Sequence, residues 1–135
     1  MAKVRPLNSR IYEISKHKFW ELYHYCMQYN EWKQELNLLD DSVKSPQITG
    51  MPQGSGTSDP TSNLAIRREF LSQKCELIEN TAKEADPELW EYILINVTNE
   101  FATFNYLQMN GGIPCGKNYF YKSRRKFFFL LARKI

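Results

Sequence analysis

The stretch TFNYLQMNGGIPCGKNYFYKSRRKFFFLLARKI, residues 103–135, opens with a threonine able to cap a helix and is broken once, at Asn110, Gly111 and Gly112. Ile113 and Pro114 then lead into a longer helix that reaches the C-terminus. Two helices joined by a glycine-containing turn are the outline of a helix-turn-helix, whose second helix presents its side chains to the DNA major groove. On a second helix beginning between Pro114 and Asn118, the residues Phe120, Phe127, Leu130 and Leu131 share one side and are expected to pack on Leu107 and the preceding helices. Lys117, Asn118, Tyr121, Lys122 and Arg125 share another side and are expected to face outward.

Charge points the same way. Residues 101–135 hold Lys117, Lys122, Arg124, Arg125, Lys126, Arg133 and Lys134 and no Asp or Glu. Removing these seven from the 18 basic residues of the chain leaves 11 against 15 acidic ones, so the remainder is acidic although the whole carries +3. A basic end of this kind suits a polyanion, because neutralising phosphates releases condensed counterions and supplies affinity before any base is read. The plainer reading of the charge alone is a solvated helical face. The residue types fit DNA. Asn pairs with adenine and Arg with guanine through two hydrogen bonds, Lys meets guanine or phosphate, and a Tyr hydroxyl reaches backbone oxygen. Asn118 and Arg125 are therefore the candidate base readers, with Lys117, Lys122, Arg124 and Lys126 as phosphate anchors and Tyr121 suited to either task or to packing.

Upstream, the chain divides at its middle. Residues 41–62 contain Pro46, Pro52, Pro60, Gly50, Gly54 and Gly56 and few large apolar groups, which predicts a linker or a long surface loop. No Lys-Ser or Lys-Thr follows Gly54 and Gly56, so a phosphate-cradling loop is rejected. Before the linker, Ser15 is expected to cap one helix whose apolar positions Phe19, Leu22, Cys26, Tyr29 and Leu36 recur at helical spacing, with Trp20, Tyr23, Met27 and Trp32 widening the stripe. After it, Leu64, Leu71, Cys75, Ile78 and Ala82 form a heptad-like seam. Asp86, Pro87 and Glu88 signal the start of a further helix over 87–96, with Leu89, Ile93 and Val97 inward. The expected fold is all-α: an N-terminal aromatic-rich helical segment over 1–40, the linker over 41–62, and a helical domain over 63–135 ending in the helix-turn-helix.

Composition limits the other classes. With 14% aromatic and 42% apolar residues the chain is expected to fold. No run approaches the eighteen or so apolar residues of a spanning helix, and Met1 to Leu7 lack a signal-peptide core, so a cytoplasmic protein without membrane contact is expected. Cys26, Cys75 and Cys115 are three and far apart, which argues against a disulfide framework and a zinc site. His17 and His24 share a helix face but lack a third ligand nearby, so no metal and no cofactor are expected. The carboxylates are spread among balancing Lys and Arg, and no nucleophile and base are set together, so the chain is expected not to be an enzyme. Tyr119 or Tyr121 beside Arg124 and Arg125 suggests a recombinase nucleophile, but the chain is too short to supply the rest of such a site.

The segments FWELYHYCMQYNEWKQEL (19–36), TGMPQGSGTSDPTSNLAIRR (49–68) and residues 103–135 resemble small proteins of Gram-positive phages and prophages grouped with the RinA and ArpU late-gene transcriptional regulators. The C-terminal segment is similar to the helix-turn-helix of sigma-factor region 4, with FNYLQMN as supporting helix and GKNYFYKSRRKFFFLLARK as recognition helix. Phe127, Phe128 and Phe129 depart from it, standing where sigma-like helices usually carry smaller Ala and Leu. The resemblance implies regulation of phage late operons through double-stranded promoter DNA and host RNA polymerase. Because such readers commonly place two recognition helices about one DNA turn apart, a homodimer is expected, through the seam at Leu64 to Ala82 or the aromatic helix at Phe19 to Leu36. Two other classes fit the same residues: a small terminase-like packaging factor, and a module that uses the basic helix against an acidic protein.

Overall fold

The computed structural model describes residues 12–44 and 60–135, with the side chains of 41–44 and 60–61 set aside. Among these residues the chain is helical throughout: α1 (Lys16–Met27), α2 (Tyr29–Lys44), α3 (Pro60–Ala85), α4 (Trp90–Thr98), α5 (Phe104–Gly111) and α6 (Lys117–Lys134). They fall into two compact units, one of Met1–Gln28 with Leu77–Ile135, the other Tyr29–Glu76. The aromatic N-terminal segment is thus shared between the units, and so is the seam helix α3.

The single helix expected after Ser15 is two. Ser15 does cap α1, its hydroxyl accepting from Lys18 N at 3.1 Å. At Gln28 the backbone N–H reaches Tyr25 O at 3.2 Å, a three-residue closure of the kind that tightens a last helical turn, and α2 begins at Tyr29. The unbroken apolar spacing concealed this stop, because no Gly or Pro marks it. Of the segment expected to be a linker, 41–44 belong to α2, which continues to Lys44, and 60–62 to α3, which starts with Pro60 at its first position, where a missing N–H costs nothing. Residues 45–59 of that linker lie outside the described residues.

In the larger unit α1 packs on α4 and α6, and α4 packs on α5 and α6. The core is made by Leu22 and Cys26 of α1, Ile78 and Ala82 of α3, Ile93 and Val97 of α4, Phe104 and Leu107 of α5, and Phe120, Phe127, Phe128 and Leu131 of α6. Burying one such aliphatic or aromatic side chain contributes about 1.5–3 kcal/mol, so this cluster supplies most of the unit's cohesion. Leu71, Cys75, Ile78 and Ala82 of the α3 seam are all buried within the chain, and only Leu64 is left at the surface. Four of the five seam positions are therefore covered without a second copy.

Two polar pins hold α6, one buried and one half-buried. Asp86, in the turn after α3, accepts from Glu88 N (3.0 Å) and Leu89 N (3.1 Å) through Oδ1 and from Ser123 Oγ (2.9 Å) through Oδ2. Asn96 of α4 donates Nδ2 to Ala102 O (2.8 Å) and accepts Arg124 Nε on Oδ1 (2.6 Å). Asp86 is thus a cap, as its sequence context predicts, and also a clasp on a helix far along the chain. The residues 87–89 that it caps form a turn, and α4 proper starts at Trp90.

In the smaller unit Tyr29, Trp32, Leu71 and Cys75 are buried. Arg67 grips Glu35 with two hydrogen bonds, Nε to Oε2 at 2.8 Å and Nη2 to Oε1 at 3.1 Å, and Arg68 pairs with Asp40. The hydrogen bonds from Arg67 hold the Glu35 carboxyl below its ordinary range. These pairs are exposed, so they fix alignment more than they add stability. Lys74 lies over the Trp32 and Phe70 rings at 4.8 and 4.4 Å.

Candidate nucleic-acid interface

The geometry of α5 and α6 is set locally. Thr103 caps α5 by accepting from Tyr106 N at 3.2 Å, as its place before FNYLQMN predicts. Gly112 closes α5 in the left-handed region at φ 63°, and Ile113 N reaches back to Leu107 O at 3.4 Å. Tyr92 of α4 donates its hydroxyl to Gly111 O at 3.2 Å, which ties that turn to the core. Residues 113–116 then carry the chain to α6, with extended Gly116 before its first turn. No acidic side chain lies anywhere from α5 to Ile135, while seven basic ones do.

The inner face of α6 is Phe120, Ser123, Phe127, Phe128 and Leu131. Leu130, expected inward, is only half-buried, and Phe128 takes the inner place beside Phe127. With that face fixed, Asn118, Lys122, Arg125, Phe129 and Arg133 follow one another at helical spacing on the opposite side, where Arg125 and Phe129 are half-buried. Lys117, Asn118 and Lys122 are exposed, while Tyr121, Arg125 and Lys126 are half-buried. The candidate base readers Asn118 and Arg125 thus lie seven residues apart on one stripe, with Lys122 between them. Arg133, which sequence reasoning did not single out, extends the stripe by one turn and lies over the Phe129 ring at 5.6 Å. Its spacing from Phe129 was the available signal.

Arg124 stands apart from this set. Besides its bond to Asn96, its guanidinium lies over the rings of Phe128 (5.0 Å), Tyr121 (5.8 Å) and Phe19 (5.9 Å). Burial draws its pKa down from the ordinary arginine value. It is held inward, toward α1 and α4, and not on the stripe with Lys122 and Arg125. Lys134, at the other end of α6, is tied to Glu84 (3.0 Å) and Thr81 Oγ1 (3.1 Å). Tyr119 is half-exposed and donates to Asp86, whose acceptance raises the phenol's pKa.

The remaining chemistry is sparse among the described residues. No group of three His, Cys, Asp or Glu side chains is placed to hold a metal ion. His24 is exposed and stacks on Trp20 at 5.9 Å. Cys26 and Cys115 are free thiols, and burial pushes Cys26 up to about 12 against the opposing effect of Arg124. Among the described residues no helix is long and apolar enough to cross a membrane. Comparison with protein-family models, with curated proteins and with solved structures finds no match.

Proposed function

We propose that the chain is a sequence-specific DNA-binding regulator of phage late genes, in which α5, its glycine turn and α6 act as a helix-turn-helix and α6 enters the major groove. The observation that carries this reading is the outward stripe of Asn118, Lys122 and Arg125, fixed in direction by the buried Phe120 and Phe127 behind it. Asn118 and Arg125 read base edges, Lys117, Lys122 and Lys126 meet phosphates, and Tyr121 borders the face. Arg124 is a positioning residue in this scheme, since it braces α6 on Asn96. The partners are double-stranded DNA, host RNA polymerase and a second copy of the chain. The protein works in the host cytoplasm, needs no cofactor or metal and catalyses no reaction.

Selection of bound sequences from random duplex DNA tests this, followed by titration of the winner and a scrambled control at several salt concentrations. A recovered motif and a log-linear salt dependence of about −0.9 per phosphate contact are expected. A second reading, a small terminase-like packaging factor, draws support from the exposed Leu38, Ile66 and Phe70 of the smaller unit, which suit assembly. It calls instead for ring-like oligomers by mass measurement and binding at a packaging site.

A further inference from the structure

Within the larger unit, residues 12–16, Phe19 of α1 and one side of α6 line a cleft of about 530 Å³ that is open to solvent, inside the range of about 300–1,000 Å³ typical of small-molecule sites. Its wall carries the Arg124 guanidinium together with the Phe19, Tyr121 and Phe128 rings against which that guanidinium lies. Lys16 and Arg125 also line it. Among the described residues Arg124 spends only its Nε, on Asn96, and no carboxylate forms an ion pair with it. Glu13 is the one acidic side chain on the wall and is exposed.

The guanidinium is half-buried, and among the described residues no carboxylate meets it, so an anion entering the cleft finds a partly desolvated cation. Arg124 keeps donors to spare and a planar fork that matches a carboxylate or phosphate. The aromatic walls add a surface for a flat ring, through offset or edge-on contact. We propose that this cavity binds a small anion bearing an aromatic ring, its carboxylate or phosphate meeting Arg124 and its ring lying against Phe19 and Phe128. A nucleoside monophosphate and an aromatic carboxylic acid share that chemistry. The inference does not rest on DNA reading by α6, since the cleft and the Arg124 guanidinium on its wall are there whichever partner the outer stripe meets.

Calorimetric titration of the full chain tests it with four ring-bearing probes, adenosine monophosphate against adenosine and indole-3-acetate against indole-3-acetamide, and with inorganic phosphate alone. One ring-bearing anion is expected to bind saturably, at least about ten-fold more tightly than its neutral counterpart, as a charge-assisted contact requires. Which of the two anions it is identifies the source. Amide and side-chain NMR shifts on binding are expected at Phe19, Tyr121 and the Arg124 Nε–H. Arg124→Gln is expected to lower the affinity about ten-fold. Because that change also releases Asn96, the exposed Lys16→Gln serves as a second variant, with a smaller loss and an unchanged fold by circular dichroism. Three results overturn the proposal: no binding of either anion at millimolar concentration, equal binding of the neutral probes or of bare phosphate, or shifts confined to residues away from the cavity.

Discussion

Arg125 stays on the outer stripe of α6 beside Asn118 and Lys122, while its neighbour Arg124 turns back to Asn96 and three aromatic rings. One helical step separates the two side chains, and it separates reading from bracing. Arg125→Ala is expected to relax base preference at one position of a bound site, at about 1–3 kcal/mol. Lys122→Ala is expected to weaken all duplexes alike and lower the salt slope by about one. Binding isotherms on a matched and a mismatched duplex check both, and equal, sequence-independent losses would show that the reading face is assigned wrongly. Asp86 offers a test by pH. Burial raises its pKa, but Ser123, the Leu89 and Glu88 amides and Tyr119 together outweigh that and hold the carboxyl below its ordinary value. A depressed carboxylate stabilises the fold above its unfolded pKa, about 3.9, and that stabilisation is lost as pH falls through the folded value. Asp86→Asn keeps the cap but puts an amide donor opposite the Ser123 and Tyr119 hydroxyls, a loss of about 1–3 kcal/mol at pH 7. Denaturant melts are expected to show the gap between the two proteins narrowing below about pH 4; a gap that is constant with pH would remove the carboxylate's charge from the explanation.

At the scale of elements, the α5–α6 turn depends on backbone shape and α6 on its aromatic face. Gly112 has no neighbouring atom where a Cβ would go, so Gly112→Ala costs only the left-handed conformation at φ 63°, about 1–2 kcal/mol. Thermal melts of the full chain check that figure, and an unchanged melting temperature would mean that the turn adopts another conformation. Phe127 is fully buried, and Phe127→Ala is expected to cost about 3–5 kcal/mol. A loss below 1 kcal/mol in denaturant melts would contradict the docking of α6 described above. These features were legible in the sequence because their signals are local: a threonine before an apolar run, a glycine pair, aromatic residues seven apart. The break at Gln28 was not, since it carries no residue that a helix avoids. Nor was the inward turn of Arg124 or the second role of Asp86, because their partners lie 28 and 37 residues away in the chain and meet only after folding. Phe128 entered the core in the same way, its edge meeting Phe19 of α1 at 5.0 Å.

At the scale of the molecule, basic charge is gathered toward the C-terminal end of the chain. The basic residues of 101–135 lie in the same unit as the aromatic α1. The smaller unit carries paired opposite charges and exposed apolar groups. The helix content and the position of the basic end followed from the sequence. The sharing of α3 between two units did not, because a continuous helix gives no sign along its length of which neighbour each turn will meet. The reading of α6 as a recognition helix stands or falls on selection from random duplex DNA with the full chain at near-physiological salt. A single recovered motif, bound at least about 10³-fold more tightly than a scrambled duplex, is the outcome this function requires. Recovery of no motif, with equal affinity for the scrambled control, would contradict sequence-specific reading and leave the basic helix to packaging or to an acidic protein partner.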